Sequence, residues 1–160
     1  MVKVENNLPD TSRVWVYQSN RRLTDHEVSV LKEQFVHFTD DWKAHGKKLN
    51  SAVEIYYHHF IVIFVDESFQ EATGCSIDKS VAYIQSVQEK FGIDLLDRMN
   101  LAYKTGDKII SIKMADFQRK AQSGEFQSDM IVFNNLVTSK GEFLEKWETS
   151  AENSWHSNLF

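Results

Sequence analysis

The segment Ala72-Thr73-Gly74-Cys75-Ser76-Ile77-Asp78-Lys79-Ser80 gathers the residue types that a small anion-binding or nucleophilic site needs. It follows the most apolar stretch of the chain and precedes an amphipathic one, so it reads as a strand-to-helix turn. A helix N-terminus leaves backbone N–H groups unpaired and carries about half a positive charge, which attracts anions. Gly74 permits close backbone approach, Ser76 and Lys79 add donors, and a thiol such as Cys75 at that position has its thiolate stabilised. The same residues also read as a turn glycine, a small buried cysteine and an N-cap serine. On that reading Asp78 answers the helix dipole, and it partly repels an anion. No histidine stands close in sequence to act as a base for Cys75.

A second grouping is Asp66-Glu67-Ser68, at the end of the apolar stretch. Carboxylates at a strand end are held rigidly at an open edge, where they serve as metal ligands or acid–base groups. With Asp78 across the same loop, Asp66 and Glu67 form a candidate oxygen set for Mg²⁺; the alternative is a polar loop start. Asn134-Asn135 offers ligand hydrogen bonds or, equally, a turn, since asparagine tolerates left-handed backbone angles. The six histidines show no i, i+4 pair on one helix face, and His58-His59 point to opposite sides of an extended chain. The residues do not identify a cofactor. The chain contains no P-loop, no G-x-G-x-x-G turn, no G-x-S-x-G elbow, no H-E-x-x-H helix and no EF-hand loop.

These residues sit in a chain of 160 residues, enough for one domain and for a core that needs no disulfide or metal. The sequence is 42% hydrophobic and 12% aromatic, with a net charge of −5 and a pI near 5.7. That acidic balance argues against general affinity for nucleic acid or anionic membranes. One cysteine favours a reducing compartment, and the opening residues carry no signal-like apolar core, so the expected location is cytoplasmic. No segment approaches the ~20 apolar residues of a membrane span.

Residues 1–12 read as a loosely held arm around Pro9, and residues 13–160 as one α+β domain. Val14-Trp15-Val16-Tyr17 marks a strand at 13–18. Thr24 and Glu27 make a capping box, Leu23 and Val28 a hydrophobic staple, and Val28, Leu31, Phe35, Phe38 and Trp42 one helical stripe. That predicts a helix over 24–44, closed by Gly46. Two strands follow at 51–57 and 60–66, with His58-His59 at the tip between them, and the second is apolar on both faces. Ser76 caps a helix over 77–91 that ends at Gly92. A hairpin over 100–104 and 108–113, a short helix from Met114 to Gly124, a strand at 130–133 and a Ser139–Glu142 capping box complete the series.

The first hundred residues therefore read strand–helix–strand–strand–helix–strand. This is the ferredoxin-like βαββαβ order, with a mixed or antiparallel sheet, helices on one face, and the first and third strands central. Extra strands and short helices extend it. The closing segment Trp155–Phe160 carries large apolar groups beyond the last helix, so it either folds back over the core or docks on a second copy.

Taken together, VWVYQSNRRLTDHE, FIVIFVDES, GCSIDKSV, LLDRM and VFNNLVTSKGEF resemble a family of bacterial proteins of about this length without an established activity. The resemblance covers the chain from Arg13 to Phe160. Some members carry the label ABC transporter ATPase, but this chain has neither a Walker A loop nor an LSGGQ-like segment. The resemblance implies a bacterial cytoplasmic protein and transfers no catalytic residue. The expectation is a non-enzymatic binding or interaction module that self-associates. The alternative is an enzyme or sensor for an anionic or phosphate ligand, built on 66–80.

Overall fold

Extended segments of the first half are set by β-branched and aromatic residues, and its helices by reciprocal caps. The computed structural model describes residues 2–160. In chain order it contains β1 (Arg13–Gln18), α1 (Asp25–Asp41), the short pair β2 (Lys43–Ala44) and β3 (Lys47–Lys48), β4 (Asn50–Tyr56) and β5 (Phe60–Asp66). Next come α2 (Gly74–Phe91), β6 (Asn100–Thr105), β7 (Lys108–Lys113), α3 (Met114–Gln122) and β8 (Ile131–Phe133). A single turn, α4 (Lys140–Glu142), runs on as a π-helical turn over Phe143–Trp147 into β9 (Glu148–Ser150). Two 3-10 turns, Ala151–Asn153 and Trp155–Leu159, end the chain. Among the described residues no helix is long and apolar enough to cross a membrane.

The fold is α+β, with the βαββαβ order and antiparallel sheets. β5 lies between β1 and β4, and every one of its residues is buried. Ile61, Ile63 and Val65 face α1 and α2, where they meet Leu31, Phe35, Ile84 and Val87. Phe60, Val62 and Phe64 face the other way, against Phe133, Val137, Phe143 and Trp147. Fully burying each such side chain is worth ~1.5–3 kcal/mol, so covering both faces of one strand dominates the local energetics.

The sheet departs from the expected arrangement at β1. The order of elements places β1 centrally, beside the fourth long strand, β6. Instead β6 pairs with β7 along its whole length and with β8 on its other side, in a separate four-stranded sheet ordered β7-β6-β8-β9. Both edges of β6 are thereby used, and β1 becomes an edge strand. The outer face of this second sheet is covered by α3 and the tail, through Leu101, Val132, Phe117, Ala121 and Ala151.

Three boundaries also move. α1 ends at Asp41 rather than at 44, because Trp42 turns to extended backbone (φ −80°, ψ 119°) and its indole N–H donates to the Ser76 carbonyl at 2.8 Å. Gly46 (φ +76°) then turns the β2–β3 pair instead of capping the helix. α2 starts at Gly74, because Thr73 rather than Ser76 is its cap. The Ser139–Glu142 box is half formed. Ser139 accepts from the Glu142 N–H, whereas the Glu142 carboxylate accepts from the Thr138 hydroxyl. The opening segment, expected to be loosely held, lies against the second core through Val2, Val4 and Leu8. The buried Lys140 ammonium donates to the Asn6 and Leu8 carbonyls at 2.9 and 2.6 Å.

The α1 cap carries a measurable charge. Thr24 and Glu27 exchange their capping bonds, and Arg21 grips the same carboxylate with two N–H···O bonds of 2.8 and 2.9 Å. The Arg21 guanidinium, helped by the Thr24 N–H, lowers the Glu27 carboxyl from 4.5 to about 2. A folded-state value below the unfolded one stabilises the fold above the unfolded value, and that contribution is lost as pH falls through the folded one. Glu27→Gln is therefore expected to lower the urea midpoint at about pH 6 and to narrow its distance from the parent at about pH 3. An unchanged gap between the two proteins at the two pH values would show that the Arg21–Glu27 charge pair contributes nothing.

Candidate functional site

The strand-to-helix turn is largely occupied by its own caps. Thr73 Oγ1 accepts from the Ser76 N–H, and Ser76 Oγ accepts from the Thr73 N–H at 2.7 Å, so both hydroxyls are engaged and Ser76 is buried. Gly74, Cys75, Asp78 and Lys79 are exposed on the first turns of α2. Cys75 is thus a surface thiol, not the buried one that its small size suggests. Lys79 borders the groove between α1 and α2 with His37, Asp41 and Tyr83.

The carboxylates are spent on the loop itself. Asp66 accepts from the Ser68 hydroxyl and N–H and from Asn50, and Ser68 holds its carboxyl below the usual range. Glu67 accepts from the Ala72 N–H at 2.8 Å. Among the described residues no three His, Cys, Asp or Glu side chains converge as a metal site, so Asp66, Glu67 and Asp78 are not brought together as ligands.

Asn134 and Asn135 separate in role. Asn134 Oδ1 accepts from the Leu136 N–H, which makes it a turn former. Asn135 Oδ1 accepts from the Trp147 indole N–H at 3.0 Å, and its Nδ2 donates to Gln18 Oε1 at 3.0 Å. Gln18 Nε2 in turn donates to the Leu101 carbonyl at 2.9 Å. This polar chain, Trp147–Asn135–Gln18–Leu101, ties the end of β1 to β6 and to the segment after β8. The tail folds back on its own chain: His156 is fully buried against Phe117, and Trp155 and Leu159 pack on the third core. Burial lowers His156 to about 4, so it is neutral at physiological pH.

The remaining feature is a cavity of about 300 Å³ along the open edge of β1. One end of that edge is closed around an Arg13–Ser139 bridge, where the Val14 N–H donates to the Thr138 carbonyl at 3.1 Å and the Lys140 N–H donates to the Ser12 carbonyl at 2.8 Å. Beyond the other end, the Asn20 N–H donates to the Asp94 carbonyl at 3.1 Å. Strand alternation turns the main-chain groups of Val16 and Gln18 the same way as those of Val14 and Asn20, and among the described residues no strand pairs with them on that side. Those two residues face the cavity.

Leu95, Leu101, Phe133 and Val137 supply its apolar walls, and Arg13, Arg98, Asn100 and Trp155 its polar ones. Asn100 is only 7% exposed, yet its Nδ2 has no hydrogen-bond partner among the described residues, and neither has the Trp155 indole N–H. A buried donor left unpaired costs ~1–3 kcal/mol, and both residues line the cavity. Tyr17 also lines the cavity; burial pushes its phenol up, against the opposing pull of Ser80 and Arg98, and it stays a neutral hydroxyl.

No family model matches the chain, and neither a curated protein nor a solved structure does. The sequence carries no spacing signal for this cavity, because Gln18, the Arg98–Asn100 stretch, Asn135 and Trp155 come from four separate segments. One clue stands at β1, where Gln18 is the single polar residue closing an apolar strand.

Two outcomes follow. Gln18→Ala removes one donor from the Leu101 carbonyl and leaves the Asn135 amide unpaired, and a loss of about 1–3 kcal/mol in urea unfolding is expected. A change within ~0.5 kcal/mol would mean that the polar chain does not couple the two sheets. Cys75 is expected to react completely with a thiol reagent in the native protein, and Cys75→Ser to leave stability within ~0.5 kcal/mol. A thiol that reacts only after unfolding would contradict its surface position.

Proposed function

We propose that the protein is a binding module whose ligand enters the cavity beside β1. The observation that carries this reading is the pairing of a preformed cavity of mixed polar and apolar lining with two buried donors that lack acceptors, Asn100 Nδ2 and Trp155 Nε1. Ligand sites are typically apolar clefts of ~300–1,000 Å³ with a few converging polar groups, and this cavity falls at the small end of that range. The polar residues lining it supply amides, an indole, guanidinium groups, the Tyr17 phenol bonded to Ser80 and the Thr138 hydroxyl bonded to Glu142, a set suited to binding and orienting a ligand. Its one carboxylate, Asp97, is held by Lys113 at 2.7 Å.

The open edge supports a small ligand over an added peptide strand. Among the described residues, only Val16 and Gln18 present main-chain groups without a partner between the two closed ends, whereas strands usually run ~3–10 residues. A peptide could pair with too few of them to be held by its backbone.

A screen of small amphiphilic fragments followed by ¹H–¹⁵N correlation spectra tests the reading. The expected shifts fall on the amides of Val16 and Leu101, the Asn100 and Asn135 side chains and the Trp155 indole. Leu136 lines the mouth and is 58% exposed, so Leu136→Ser is expected to weaken binding while changing stability by no more than ~0.5 kcal/mol. Shifts confined to residues 66–80 would move the function to the Cys75 helix start, and a silent cavity would end the proposal.

A further inference from the structure

We infer that the ligand is a compact carboxylate with an apolar body; this rests on the reading of the cavity as a binding site and names what fills it. Both unpaired buried atoms are donors. The Trp155 indole can only donate, so the group that satisfies it must be an acceptor. Two guanidinium groups, Arg13 and Arg98, also line the cavity. Neither forms an ion pair with a described residue, and Arg13 lies over the Trp15 ring at 4.7 Å. The only carboxylate in the lining, Asp97, already has the Lys113 ammonium. The local balance is therefore positive in a chain whose net charge is −5. An acceptor that is also an anion answers both features, because charge-assisted hydrogen bonds are about twice as strong as neutral ones.

The rest of the wall sets the body. Leu95, Leu101, Phe133 and Val137 offer only apolar contact, so the anion must carry an apolar group. At ~30 Å³ per water-sized volume, the 300 Å³ of the cavity admits a ligand of about ten heavy atoms. A phosphate fits less well. It brings close to two charges and three strong acceptor oxygens and has no apolar part to meet Leu95, Leu101, Phe133 and Val137.

The test uses titration calorimetry and ¹H–¹⁵N spectra on the full chain with three probes: 4-phenylbutanoate, its uncharged amide, and inorganic phosphate. The carboxylate is expected to bind with shifts at Val16, Asn100 and the Trp155 indole, and about tenfold more tightly than the amide. Arg98→Gln and Arg13→Gln change exposed side chains, and each is expected to weaken the carboxylate several-fold while leaving the amide unchanged. Arg119→Gln, on α3 and paired with Asp116, is the control and is expected to change neither. Equal binding of amide and carboxylate overturns the inference while leaving the cavity a binding site, as does binding of phosphate in place of the carboxylate. If neither phenylbutanoate nor its amide perturbs the cavity, both the inference and the binding reading fail.

Discussion

A strand that is apolar on both faces cannot be satisfied by one layer of helices, and β5 imposes that condition on the whole chain. Its α-facing side is covered by α1 and α2, as the order of elements dictates. The opposite side needs a second apolar layer, and the chain after α2 supplies it with the π-helical turn holding Phe143 and Trp147 and with a separate sheet. To build that sheet, β6 takes β7 on one edge and β8 on the other. The position beside β1 then has no strand to fill it. The cavity is thus a consequence of how β5 is buried.

Beside the cavity, the end of β1 is tied to both sheets by a chain of side-chain hydrogen bonds. Gln18 is buried at the end of β1 and bridges to β6 through Leu101 and to the segment after β8 through Asn135, which is itself held by Trp147. Trp147 also packs on Phe60, Phe133 and Phe143, so the polar chain is anchored in the aromatic core. Buried polar chains of this kind specify one arrangement when every member is satisfied. Asn100 and Trp155 are the unsatisfied members nearby, and they line the cavity.

Much of the first half was legible in the sequence because its signals are local. The Thr24–Glu27 box, the stripe through Val28, Leu31 and Phe35, and the fully apolar Phe60–Val65 run each fix an element within a dozen residues. Helix ends were less legible. Trp42 continues the helical stripe but leaves the helix to bond Ser76, a partner 34 positions away. Thr73 and Ser76 are both competent caps, and only the three-dimensional geometry decides that Thr73 leads. The placement of β6 depends on competition between β1 and β8 for one edge, which no periodicity reports. The turn at 74–79 attracted notice because its residue types are adjacent in sequence. The cavity residues escaped notice because folding alone brings them together.

The most direct measurement of this account is amide hydrogen exchange along β1. The N–H groups of Trp15 and Tyr17 point to β5 and are expected to be strongly protected, whereas that of Val16 points into the cavity and is expected to exchange much faster. A ligand in the cavity should slow Val16 selectively. If Val16 is as protected as its two neighbours in the free protein, the edge of β1 is closed and the cavity is not an open site.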